Sequence, residues 1–130
     1  MNAKRALFYG TNGLLTFMLL GGGYSMLTGA PDMITNLARL GLTNTGIIAL
    51  LGTLKVLAAI GLWVPAGREW AEKGLVFLFT GALAAHAGAG DPLSAFAPAG
   101  IALLLTIVSL NLRPRLQAAA LTFSTERIAA

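Results

Sequence analysis

The chain has 130 residues, 56% apolar and 11% charged, with a mean hydropathy of +0.76 and a net charge of +4. Soluble domains run nearer about 45–50% apolar and about 25% charged, so a water-soluble globule is excluded, and so is a disordered chain. With no cysteine, a disulfide scaffold, thiolate metal sites, thiol chemistry and iron–sulfur clusters are excluded as well, which leaves a small integral membrane protein.

The nine basic and five acidic residues nearly define the architecture. No charge occurs between Arg5 and Asp32, and Lys55 alone interrupts the run from Leu40 to Gly67. None occurs between Lys73 and Asp91, or between Asp91 and Arg113. A membrane helix needs about 20 mostly apolar residues. Four such spans fit, at about 7–28, 44–64, 68–88 and 92–112, followed by a cytoplasmic tail over 113–130. The expected fold is all-α, a single-domain integral membrane four-helix bundle.

Span one begins after Lys4 and Arg5. Its apolar core and the Thr28-Gly29-Ala30 end also fit a signal peptide, but its length favours a retained span. Tyr9, Asn12 and Thr16 share one face. The Gly21-Gly22-Gly23 run is expected to loosen the outer end, or to admit another chain or a ligand. Between spans one and two, Met33, Ile34, Leu37 and Leu40 recur at helical spacing. The segment from Pro31 to Leu42 is either a short amphipathic interfacial helix or an ordinary loop.

Thr43, Asn44 and Thr45 offer caps for span two, which carries Lys55 near its middle. A charge there costs about 2.5–3.5 kcal/mol on insertion scales. Gly52 and Ala59 make its face small, so Lys55 is expected to point into the bundle, unless it snorkels to the surface. Pro65-Ala66-Gly67 is expected to break span two from span three.

Span three carries Glu72, Phe79 and His86 seven residues apart, hence in one stripe. Glu72 and His86 lie about 21 Å apart along the axis. Lys55 reaching toward Glu72 would neutralise both, while Glu69 is expected to pair with Lys73 four residues on. Asp91-Pro92 reads as a capping carboxylate and first-turn proline for span four. Arg113-Pro114 reads as its stop. Thr106 and Ser109 on span four, with Tyr9, Asn12 and Thr16 of span one, either line a polar pocket with Lys55 or form interhelical hydrogen bonds. A short surface helix over Gln117 to Ala130 is compatible with the tail.

Helices in lipid associate through close backbone approach. Gly10 and Gly13, Gly46 and Gly52, and Gly74, Gly81 and Ala85 are expected to face neighbouring helices. Lys4, Arg5, Arg68, Lys73, Arg113, Arg115 and Arg127 fall on one side of the four spans and Arg39 on the other. By the positive-inside rule both termini are cytoplasmic, as in a multi-pass bacterial inner-membrane protein. The basic residues sit in three short segments without interleaved aromatics, so no nucleic acid is expected.

No nucleophile–base pair, phosphate loop, metal cluster or dinucleotide fingerprint appears. One histidine and no cysteine give no metal or haem site. Side-chain chemistry would fall to Lys55, Glu69, Glu72 or His86, and ligand binding to Tyr9, Asn12, Lys55 and His86.

The stretch Leu51-Gly52-Thr53-Leu54-Lys55-Val56-Leu57, then Pro65, Glu69-Trp70-Ala71, Gly74, Gly81-Ala82, His86 and Gly90-Asp91-Pro92, resembles the DoxX-like family of small four-helix membrane proteins over about 8–113. The namesake relatives are membrane subunits of a thiosulfate:quinone oxidoreductase. Others are linked to oxidative-stress complexes, and a eukaryotic branch resembles assembly chaperones for membrane receptors. The resemblance carries over the lysine, glutamate and histidine positions as Lys55, Glu69 and His86. It implies a quinone-linked redox membrane subunit with no intrinsic cofactor and quinone as the ligand. The alternatives are a structural or assembly subunit, and a small membrane enzyme using acid–base catalysis on an apolar substrate. Expected partners are the lipid bilayer, with other membrane or redox subunits or a second copy of the chain left open.

Overall fold

The computed structural model describes residues 2–129, so Ala130 of the tail lies outside the described residues. The order is α1 (Ala3–Leu27), α2 (Pro31–Arg39), α3 (Thr45–Gly61), α4 (Pro65–Gly88) and α5 (Leu93–Ala129), with no strand among the described residues. Each boundary has a local cause. The Asn2 side chain caps α1 by accepting from the Lys4 amide at 3.0 Å. Asn44 caps α3 by accepting from the Ile47 amide at 3.1 Å. Gly29, Gly41 and Gly90 take positive φ just beyond the ends of α1, α2 and α4, where a side chain would be strained.

The segment after α1 is a helix, not a loop. Pro31 opens it, Asp32 sits in its first turn and Arg39 in its last, a charge order that suits the helix dipole. It turns 90° from α1 and packs Leu37 with Met26 and Ile48.

Two expectations built on proline are corrected. Pro65 does not lie in a break but opens α4, because the first helical turn has no use for the missing amide. Pro114 does not stop α5, which runs on through Pro98 and Pro114 to Ala129. The alanine- and leucine-rich stretch that follows favours helix strongly enough to carry the chain past it. The tail helix is therefore an extension of α5.

In the bundle, α1 contacts α3 and α5, and α4 contacts α3 and α5, with no backbone contact across either diagonal among the described residues. The four long helices thus form a ring. Its core is Leu15, Leu19, Ala59, Leu62, Leu75, Phe79 and Ala102. The α1–α3 crossing is tight: a Cβ at Gly23 would lie 2.9 Å from the Gly52 carbonyl oxygen, and one at Gly52 would lie 3.0 Å from Met26 Cβ. The other glycine expectations are corrected. Gly10, Gly13 and Gly74 have nothing within 4 Å of a built Cβ, and the nearest atom to Gly46 is the side chain of its own cap, Asn44. The Gly21-Gly22-Gly23 run does not loosen α1, whose helix continues through it. The crossing with α3 holds it on one side.

The outer surface is apolar. Phe17, Trp70 and Phe77 are 77%, 79% and 82% exposed, and such a surface suits lipid rather than water. By length and composition one described helix, α5, is apolar enough to cross a membrane; α1 passes only with α2 as a bent pair, and α3 has 17 residues. The first three turns of α4 hold Arg68, Glu69, Glu72 and Lys73, which keeps its charge-free part short.

Candidate functional site

The polar groups divide between two levels of the ring. At the level of α2 lies a chamber of about 690 Å³, walled by residues such as Met18, Gly22, Leu78, Ala82 and Ala99 and covered by Met33 and Leu37. Gly81 and Ala85 face this space instead of a neighbouring helix. Lys55 and His86 both reach it. The Lys55 stem runs beside Gly22, where a Cβ would lie 3.2 Å from the amine nitrogen. Glycine at that position leaves room for the amine, which has no acidic partner among the described residues.

His86 is set by Asp91, which follows α4 in the chain. Its Nδ1 lies 2.5 Å from Asp91 Oδ2, and since a carboxylate only accepts, Nδ1 carries the proton. Nε2 is then left for a ligand. The other carboxylate oxygen forms an ion pair with Arg39 of α2, and Arg39 Nη2 donates to Asn36 Oδ1 at 2.9 Å. The Asp91 side chain is only 4% exposed. The hydrogen bond from Arg39, then that from His86, holds its carboxyl below the usual aspartate range. Asp91 therefore does not serve as a helix cap, as its place before Pro92 suggested. It clasps α2 to the end of α4.

At the opposite level, Glu72 is fully buried. Its Oε1 accepts from Ser109 Oγ at 2.7 Å. Its Oε2 has no hydrogen bond and faces Arg113 Nε at 3.5 Å. Asn12 Nδ2 donates to the Phe8 carbonyl at 2.9 Å, and Asn12 Oδ1 lies 3.3 Å from Ser109 Oγ. Thr16 donates to the Asn12 carbonyl and accepts from Trp63 Nε1, at 2.7 and 2.8 Å. Thr106 donates to the Ala102 carbonyl. Tyr9 is half-exposed and stacks on Trp63, with ring centroids 6.2 Å apart.

Several expected groupings are thereby corrected. Lys55 does not meet Glu72: its stem lies against α1, and Arg113 of the adjoining α5 supplies the cation. Of the two alternatives for the polar residues of spans one and four, the interhelical hydrogen bond is the one seen, between Asn12 and Ser109; Thr106 bonds within its own helix and Tyr9 stacks on Trp63, and none of them lines the chamber that Lys55 enters. Glu69 does pair with Lys73, at 2.6 Å, and Arg113 lies 3.9 Å from its other oxygen. Arg39, Asp91 and Arg113 were missed as site residues. The five-residue step from His86 to Asp91 across Gly90 was the available signal. Nothing in the sequence linked Arg39 to Asp91, 52 residues on.

Compared with known families, the chain matches the DoxX-like family model over residues 10–109. The chain belongs to the DoxX-like family. It is a membrane protein. Searches of curated proteins and of solved structures gave no match. The part that matches the DoxX-like family holds Lys55, Glu69, Glu72, His86 and Asp91 but ends before Arg113.

Proposed function

We propose that this DoxX-like protein crosses the membrane four times, with both termini cytoplasmic, and binds a quinone in the chamber as a redox membrane subunit. The observation that carries this reading is a mostly apolar space of about 690 Å³ into which the unpaired Lys55 amine and His86 project. Small-molecule sites fall in the range of about 300–1,000 Å³ and combine apolar walls with a few polar groups. A quinone ring fits that description, and a long prenyl tail has to leave the chamber for lipid. Lys55 donates to one quinone oxygen, and His86 Nε2, an acceptor while Nδ1 donates to Asp91, accepts from the hydroxyl that forms at the other end when the quinone is reduced to quinol. A bound quinone supplies acceptance of two electrons and two protons. The chain has no thiol and one histidine, so the electrons come from a partner subunit. For the topology, seven basic residues on one side against Arg39 on the other support cytoplasmic termini.

The test is extraction of the detergent-purified protein for quinones, followed by calorimetric titration with a short-chain ubiquinone. Binding is expected, and Lys55→Met weakens it about tenfold, as loss of a charged hydrogen bond does. An empty extract together with no uptake of added quinone overturns the reading.

A further inference from the structure

A second hollow of about 370 Å³ lies at the other end of the ring, where the N-terminal ends of α1 and α4 meet the middle of α5. Arg5, Arg68 and Arg113 line it, with Gln117 and the rings of Phe8 and Tyr9. Three guanidinium groups around one hollow repel one another unless an anion joins them. The carboxylates of this end engage Arg113 alone of the three: Glu72 lies 3.5 Å from it, and Glu69, which also holds Lys73, lies 3.9 Å from it. Arg5 and Arg68 have no acidic partner among the described residues.

Arg68 is also held in place before any ligand arrives. Its Nε donates to the Leu62 carbonyl at 2.8 Å, and its guanidinium lies over the Phe8 ring, 5.2 Å from the centroid. It thus reaches across the ring from α4 to α1. The stacked Tyr9–Trp63 pair at the same end matches the aromatic belt that marks a membrane–water boundary.

We infer that this hollow is a binding site for the phosphate group of an anionic membrane phospholipid. Guanidinium groups recognise phosphate through paired hydrogen bonds, and basic pockets between membrane helices suit lipid head groups. Arg5 and Arg68 grip the phosphate, Arg113 adds charge from α5, and Gln117 adds an amide donor. The acyl chains lie along the apolar outer face. The site is separate from the quinone chamber.

The full chain in neutral detergent is titrated with phosphatidylglycerol, with phosphatidylcholine and with inorganic phosphate. Binding is read by native mass spectrometry and by the unfolding temperature. Phosphatidylglycerol is expected to bind as a single lipid and raise the unfolding temperature, while the other two do neither at the same concentration. Arg5→Gln together with Arg68→Gln weakens that binding at least about tenfold. Because Arg68 also holds the Leu62 carbonyl, Arg5→Gln alone is the control for folding, and it weakens binding several-fold with quinone uptake unchanged. Equal binding of phosphatidylcholine, an effect reproduced by inorganic phosphate alone, or an unchanged Arg5→Gln variant overturns the inference.

Discussion

Glu72 and Arg113 set the demands of their level of the ring. A carboxylate with no exposure and one oxygen lacking a hydrogen bond depends on the guanidinium 3.5 Å away. Removing one member of a buried pair leaves an uncompensated charge, at about 3–5 kcal/mol. Arg113→Ala is therefore expected to lower stability by about 3 kcal/mol, read as thermal unfolding in detergent. Glu72→Leu combined with Arg113→Leu should recover much of that loss, since replacing both partners with apolar groups is close to neutral. The seven-residue stripe made the inward position of Glu72 legible. Its partner was not, because Arg113 precedes a proline and so reads as a helix end. Lys55 stood out as a lone charge in an apolar run, but which helix its stem would follow depended on Gly22, whose role emerges only when α1 and α3 cross.

At the scale of elements, the α1–α3 crossing separates glycines that pack from glycines that do not. Gly23→Ala places a methyl 2.9 Å from a backbone oxygen and 3.0 Å from Val56 Cγ2, and backbone cannot yield as a flexible side chain does. Overpacking of this kind costs about 1–3 kcal/mol. Gly74→Ala meets open space and gains about 0.5–1 kcal/mol from helix propensity. Opposite shifts in unfolding temperature are expected, and equal shifts would show that the crossing is not close. The four long helices and their order were legible from charge-free runs, and the start of α3 from its cap Asn44. The glycine roles were not, since composition places small residues in membrane helices without saying which face they take.

The whole molecule is a ring closed at one level by packing and at the other by α2, which Asp91 clasps through Arg39. The folded state favours the ionised Asp91 carboxyl. Its stabilising contribution is complete above the usual aspartate range, near 3.8, and is lost as pH falls through its lowered value. Hydrogen exchange over 31–39, corrected for intrinsic rates, should show protection at neutral pH that declines below about pH 4. Asp91→Asn should lack that protection already at neutral pH. The amphipathic pattern made α2 partly legible, whereas its tether joins positions too distant in sequence for any periodicity to connect. The unbroken course of α5 has a mechanical consequence. Its last residues extend about 24 Å past Arg113, and the same rod forms the chamber wall at Pro98 and Ala99. Two prolines lie inside that rod, so the Ser94 and Leu110 carbonyls lack their helical amide partners at Pro98 and Pro114, and the rod bends most easily at those two turns.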